Sequence, residues 1–73
     1  MQTIVAEITG TVWKILVQPG DRVAVDDSVV IMESMKMEIP LIASDAGIVQ
    51  EVHIKEGDVV QEGQVLVTFQ SDP

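Results

Sequence analysis

Cysteine is absent from the chain, which excludes disulfides, thiol nucleophiles and thiolate metal ligation. Basic residues are scarce: Lys14, Arg22, Lys36 and Lys55 stand against twelve acids, for a net charge of −8. Phosphate binding needs clustered positive charge, and these four are scattered along the sequence, so nucleic acid is not expected as a partner. The same scarcity disfavours an anionic membrane surface. Trp13 is the single tryptophan, and a stacking platform there would need basic neighbours beyond Lys14. No stretch approaches the about 18 apolar residues of a spanning helix. No basic start leads into an apolar run. A soluble cytoplasmic protein is the expectation, kept in solution by its acidity. No segment carries ten residues of helical periodicity, and β-branched residues dominate the apolar positions. With neither disulfide nor zinc staple, a 73-residue chain folds only if it is regular and well packed.

What the chain does have is a repeat. Shifted by 37 positions, Ala6, Gly10, Val12, Gly20, Asp21, Val23 and Val30 fall on Ala43, Gly47, Val49, Gly57, Asp58, Val60 and Val67. One domain over residues 1–73 is expected, with internal copies at about 6–33 and 43–70. Each copy reads as strands. Thr11, Trp13, Ile15 and Val17 share one parity, which expects Trp13 in or beside the core. Ile48, Val52 and Ile54 alternate with Glu51, His53 and Lys55 in the second copy. Gly20-Asp21 and Gly57-Asp58 mark turns, since glycine permits positive φ and aspartate bonds its own local backbone. Short segments at Val23 and Val60 follow, residues 28–33 and 64–70 close the copies, and residues 4–8 and 37–43 open them. Many short strands at turn-marked spacing predict an all-β sandwich or flattened barrel. A single copy cannot cover its own apolar face, so two copies packed face to face are expected.

The segment joining the copies is Glu33-Ser34-Met35-Lys36-Met37-Glu38. Approximate twofold symmetry puts it at one end of the molecule, with Met1 and Pro73 at the other. Six residues are too few for a stable helix, and Pro40 would end one at once; a tight β-turn is expected instead. A catalytic amine must lose its proton near neutrality, through burial or a neighbouring cation. Glu33 and Glu38 supply the opposite charge. An exposed lysine is suited instead to acylation by a second enzyme, and Met35 and Met37 add apolar surface for that enzyme to grip.

This segment resembles the biotin-attachment motif of biotinyl domains, the carrier part of biotin-dependent carboxylases. The resemblance spans Gly10, Val12, residues 20–23, the Met-Lys-Met core, Ala43, residues 47–49, residues 57–60 and Gly63. The length is similar to that of a free-standing biotin/lipoyl attachment protein. The resemblance implies a flattened barrel-sandwich of two four-stranded antiparallel sheets, with the modified lysine at a hairpin tip. It implies covalent biotin on Lys36, added by biotin protein ligase, with Glu33, Ser34, Met35, Met37 and Glu38 as the ligase recognition segment. Biotin carboxylase and carboxyltransferase are the implied partners, the chain itself catalysing neither step. Asp26 stands where the family usually has glycine, and Ser44 replaces a frequent proline. No insertion marks the protruding thumb of some carriers.

Three other readings stay open. A lipoyl carrier of a 2-oxo-acid dehydrogenase or glycine-cleavage system shares the fold and the lysine, though such domains typically place an acidic or small residue before it. A structural interaction module of the same fold would leave Lys36 an ordinary loop residue. An enzyme is the third. Its only histidine would be His53, placed by parity on a polar face, and the acidic pairs lack calcium-loop spacing. Met32 is expected in the core, and Pro40 at a strand edge or bulge.

Overall fold

The computed structural model describes residues 2–71, which form eight strands: β1 (Gln2–Val5), β2 (Gly10–Ile15), β3 (Arg22–Val23), β4 (Ser28–Ser34), β5 (Met37–Ile42), β6 (Gly47–Val52), β7 (Val59–Val60) and β8 (Val65–Ser71). Among the described residues there is no helix. Pairing is antiparallel throughout. The strands make two four-stranded sheets, ordered β1-β8-β6-β3 and β5-β4-β2-β7. Between them lies one apolar core in which Phe69, Met32, Leu41 and Leu66 are the largest fully buried side chains. No polar or charged side chain is buried there, so core formation carries no desolvation penalty from such groups.

Turn chemistry is shared by the two halves. Asp21 accepts a bond from the Gln18 backbone N–H, and Asp58 from that of Lys55, each at 2.9 Å. The backbone repeats the same spacing. Gly20 N–H donates to the Val49 carbonyl and Gly57 N–H to that of Val12, both at 2.8 Å. Val49 N–H donates to Asp21 and Val12 N–H to Asp58, again at 2.8 Å. Each of these four backbone bonds crosses from one half of the chain to the other.

That crossing alters the expected packing of one copy on the other. Each sheet takes strands from both halves: β1 and β3 lie in a sheet with β6 and β8, while β5 and β7 lie with β2 and β4. Isolated two-residue strands such as β3 and β7 have little to hold them, and pairing with the long strand of the other half satisfies their backbone groups.

The parity expected for the second strand of each half is also corrected. Trp13 is 43% exposed and Ile48 39% exposed, while Val12 and Val49 are buried. Pairing skips from Val12 to Lys14 in β2 and from Val49 to Glu51 in β6. A bulge at each point inserts one residue and reverses the inward set. Val12 therefore faces the core before the bulge, and Ile15 and Val17 face it afterwards. Similar irregularities beside Val29 and Leu66 place consecutive residues inside, Val29 with Val30 and Leu66 with Val67.

Met1 and Pro73 lie outside the described residues, which begin at Gln2 and end at Ser71. The Gln2 amide donates to Asp45 Oδ2 at 2.6 Å and to Ser71 Oγ, so β1 meets both the β5–β6 connection and the end of β8. That connection follows Ile42, whereas Lys36 precedes Met37 at the other end of β5. Strand rise separates the two by on the order of 20 Å.

Candidate functional site

Residues of β4 and β5 pair from Ser28↔Ile42 up to Glu33↔Glu38 and Ser34↔Met37. Only Met35 and Lys36 are left to turn the chain. Both have positive φ, 52° and 66°, the signature of the type I′ two-residue hairpin whose twist matches the flanking strands. The helical-turn alternative for this segment is thereby excluded.

The six residues of the segment are treated differently by the fold. Lys36 is exposed, and among the described residues it has no hydrogen-bond or ion-pair partner. Met35 is 90% exposed and Met37 64%, in contrast to the fully buried Met32. Glu33 and Glu38 are exposed and directly opposite each other, an arrangement of like charge that costs stability in a sheet. Ser34 alone is half-buried, its hydroxyl donating to the Thr9 carbonyl at 3.2 Å. That bond braces the hairpin against the β1–β2 connection.

Thr9 and Gly10 are supports that reading the sequence for chemistry did not single out. A Cβ at Gly10 would come within 2.7 Å of the Glu33 carbonyl and 3.2 Å of the Ser34 Cβ. The bare backbone at Gly10 lets β2 lie close beside the base of the hairpin. The signal was present in the Gly10/Gly47 repeat, but a glycine needed for close approach looks like a turn glycine in sequence.

Among the described residues no catalytic constellation surrounds Lys36. One groove of about 320 Å³ is lined by Leu16, Asp21, Arg22 and Ser28, at the Ser28 end of β4. A second, of about 200 Å³, lies between edge strands β1 and β5 beside Ile42. Neither reaches the hairpin. His53 sits on the outer face of the other sheet, 2.8 Å from Thr68 Oγ1 and 3.7 Å from Glu51. Among the described residues no cluster of acids and histidine could hold a metal ion. The arrangement can offer a solvated primary amine on a two-residue hairpin, flanked by apolar side chains and two carboxylates. Such an amine can be acylated by an enzyme that supplies both the activated acyl group and the base.

Comparison with known proteins gives a consistent set of likenesses. The family described as "Biotin-requiring enzyme" matches residues 2–69. The chain is 49% identical over 65 residues to the biotin/lipoyl attachment protein of Bacillus subtilis, covering 89% of each. It is 44% identical over 64 residues to the biotinylated protein TB7.3 homolog of Mycobacterium leprae, covering 88% of this chain and 90% of that one. Identity to the biotin carboxyl carrier protein of Streptococcus mutans is 39%, over 92% of this chain and 52% of the relative. Among solved structures, a single-chain, multi-domain long-chain acyl-CoA carboxylase contains a region that superposes with a TM-score of 0.92 at 30% identity, covering 97% of this chain and 7% of that one. The lipoyl domain of the Azotobacter vinelandii 2-oxoglutarate dehydrogenase complex superposes with a TM-score of 0.78 at 26% identity, covering 96% of this chain and 99% of that domain.

Proposed function

The chain belongs to the biotin-requiring enzyme family, and on that premise we propose that it is a biotin carboxyl carrier whose attachment point is the Lys36 Nζ. The observation that carries this reading is the state of that amine: exposed, unpartnered among the described residues, and set at the apex of a two-residue hairpin. These are the properties that amide formation with a carboxyl group requires, so Lys36 fits covalent biotin. When bound, biotin supplies a ring that accepts and releases a carboxyl group. The chain contributes position. Its hairpin holds the tether clear of the core, and tethering raises the local concentration of a carried group at each active site it visits. Biotin protein ligase, a biotin carboxylase and a carboxyltransferase are the partners in this reading. Chemistry at each step belongs to them.

Met35 and Met37 support biotin over lipoate, as does the name of the Mycobacterium leprae relative. The Bacillus subtilis relative carries both group names, and the lipoyl domain shares the fold. Lipoate on Lys36 is therefore the second reading. Intact-mass measurement of chain isolated from cells grown with biotin and lipoate tests both. A biotinyl mass that Lys36→Arg abolishes is expected, because arginine keeps the charge but cannot form the amide. A lipoyl mass alone would overturn the assignment to biotin. An unmodified lysine with full biological activity in Lys36→Arg would favour a structural module.

A further inference from the structure

The two halves of the chain place equivalent backbone on the outer faces of opposite sheets, so each face serves as a reference for the other. On the sheet that carries Lys36, the outer face holds Trp13, Leu16, Ile31, Pro40 and Val59. Trp13, Leu16 and Val59 are 43%, 47% and 74% exposed. The residues 37 positions away on the other sheet are Gln50, His53, Thr68, Thr3 and Arg22. Each of these five has a polar counterpart, whereas in the reverse sense Ile48, 39% exposed on the reference face, answers to Thr11. A fold that merely tolerates exposed apolar residues has no reason to concentrate them on one of two equivalent faces. Binding surfaces do have one.

The apolar face adjoins the hairpin. Lys36 stands above the row Glu38, Glu33, Thr11 and Val59, and the next row runs Pro40, Ile31 and Lys14 beside the Trp13 bulge. The Lys14 ammonium lies 5.5 Å from the Trp13 ring centre, close enough for a cation–π contact that orients the indole. His53 reaches Thr68 on the reference face, which places Leu16 beside Ile31 by the same backbone path. An enzyme acylating Lys36 must grip the carrier beyond a two-residue loop, since specific complexes bury about 800 Å² on each partner. The border of the face is acidic at Glu33 and Glu38, in a chain of net charge −8.

We propose that the outer face of the β5-β4-β2-β7 sheet, centred on Trp13 and Ile31, docks the biotin protein ligase that acylates Lys36, through a ligase surface pairing an apolar patch with basic side chains opposite Glu33 and Glu38. The proposal rests on the carrier reading above. Its test is steady-state biotinylation by purified biotin protein ligase with biotin and ATP. Trp13→Gln and Ile31→Thr install the residues that the second half carries at the same backbone positions, so the fold accommodates them, and circular dichroism verifies it. The double variant is expected to raise the KM for the carrier at least tenfold with kcat within twofold of wild type. Gln50→Ala with Thr68→Ala, on the reference face, is expected to leave both constants within twofold. Unchanged KM in the Trp13/Ile31 variant overturns the proposal while leaving the carrier reading intact. So does sedimentation showing a wild-type dimer that Trp13→Gln dissociates without altering KM, because the occupant is then a second copy. A wild-type chain that accepts no biotin overturns both.

Discussion

The φ values of Met35 and Lys36, 52° and 66°, place two side chains bearing Cβ atoms in the left-handed region. That conformation costs an L-residue about 1–2 kcal/mol, and type I′ hairpins favour Asn-Gly for this reason. Lysine at the second position therefore sacrifices stability for a presented amine. Lys36→Gly is expected to be more stable than Lys36→Arg by about 0.5–1 kcal/mol, the relieved strain being partly offset by the freer unfolded chain. Urea unfolding of the two variants, both unable to form the attachment amide, measures the difference. Equal midpoints would show that the turn is unstrained. Asp26 is in a similar position at φ 72°, where its counterpart Gly63 has φ 89°. Its departure from the glycine common in the family is visible in sequence, whereas the strain at Met35 follows only from knowing that the loop has two residues.

Strands carry the next level of argument, and here the glycines separate position from stability. A Cβ at Gly47 would sit 2.2 Å from the Gln70 carbonyl oxygen and 2.9 Å from Phe69 Cδ2, so backbone and a buried ring must both give way. The clash at Gly10 is milder but falls on Glu33 and Ser34, at the foot of the hairpin. Gly47→Ala is expected to cost about 3 kcal/mol, at the upper end for overpacking, while leaving the ligase rate of the folded protein near wild type. Gly10→Ala is expected to cost less stability and to slow biotinylation more. Thermal melts and initial rates taken below both midpoints test this reversal of order; a common ranking in the two assays would contradict it. The same elements show what the sequence made legible. Strand number, the glycine-aspartate turns and the hairpin at Lys36 followed from repeat and spacing. The facing of Trp13 and Ile48 did not, because a one-residue bulge leaves no compositional mark and reverses parity beyond it. Ser34 belongs to the segment that the resemblance implies for ligase recognition, and its bond to Thr9 depends on a contact 25 positions away in sequence, which local pattern cannot supply.

At the scale of the whole molecule, the halves are interleaved rather than stacked. Removing one half would strip β1 and β3 from one sheet or β5 and β7 from the other, and would open the shared core around Phe69 and Met32. Neither half retains a closed apolar interior alone, so no stable intermediate with one half folded is expected. Unfolding should then be two-state. The single tryptophan makes the test direct, since Trp13 fluorescence reports on the first half while far-ultraviolet circular dichroism reports on the strands of both. Coincident urea transitions, with the same midpoint and slope, are expected. Tryptophan emission changing at a lower urea concentration than the dichroism would mean that β2 detaches while β6 and β8 persist, contrary to the cross-bonding of Val12 with Asp58 and Gly57. Cooperative unfolding also bears on the proposed carrier role. If Lys36 carries a group between partners as proposed, a scaffold that melts only as a unit keeps β4 and β5 paired beneath the hairpin while that group moves.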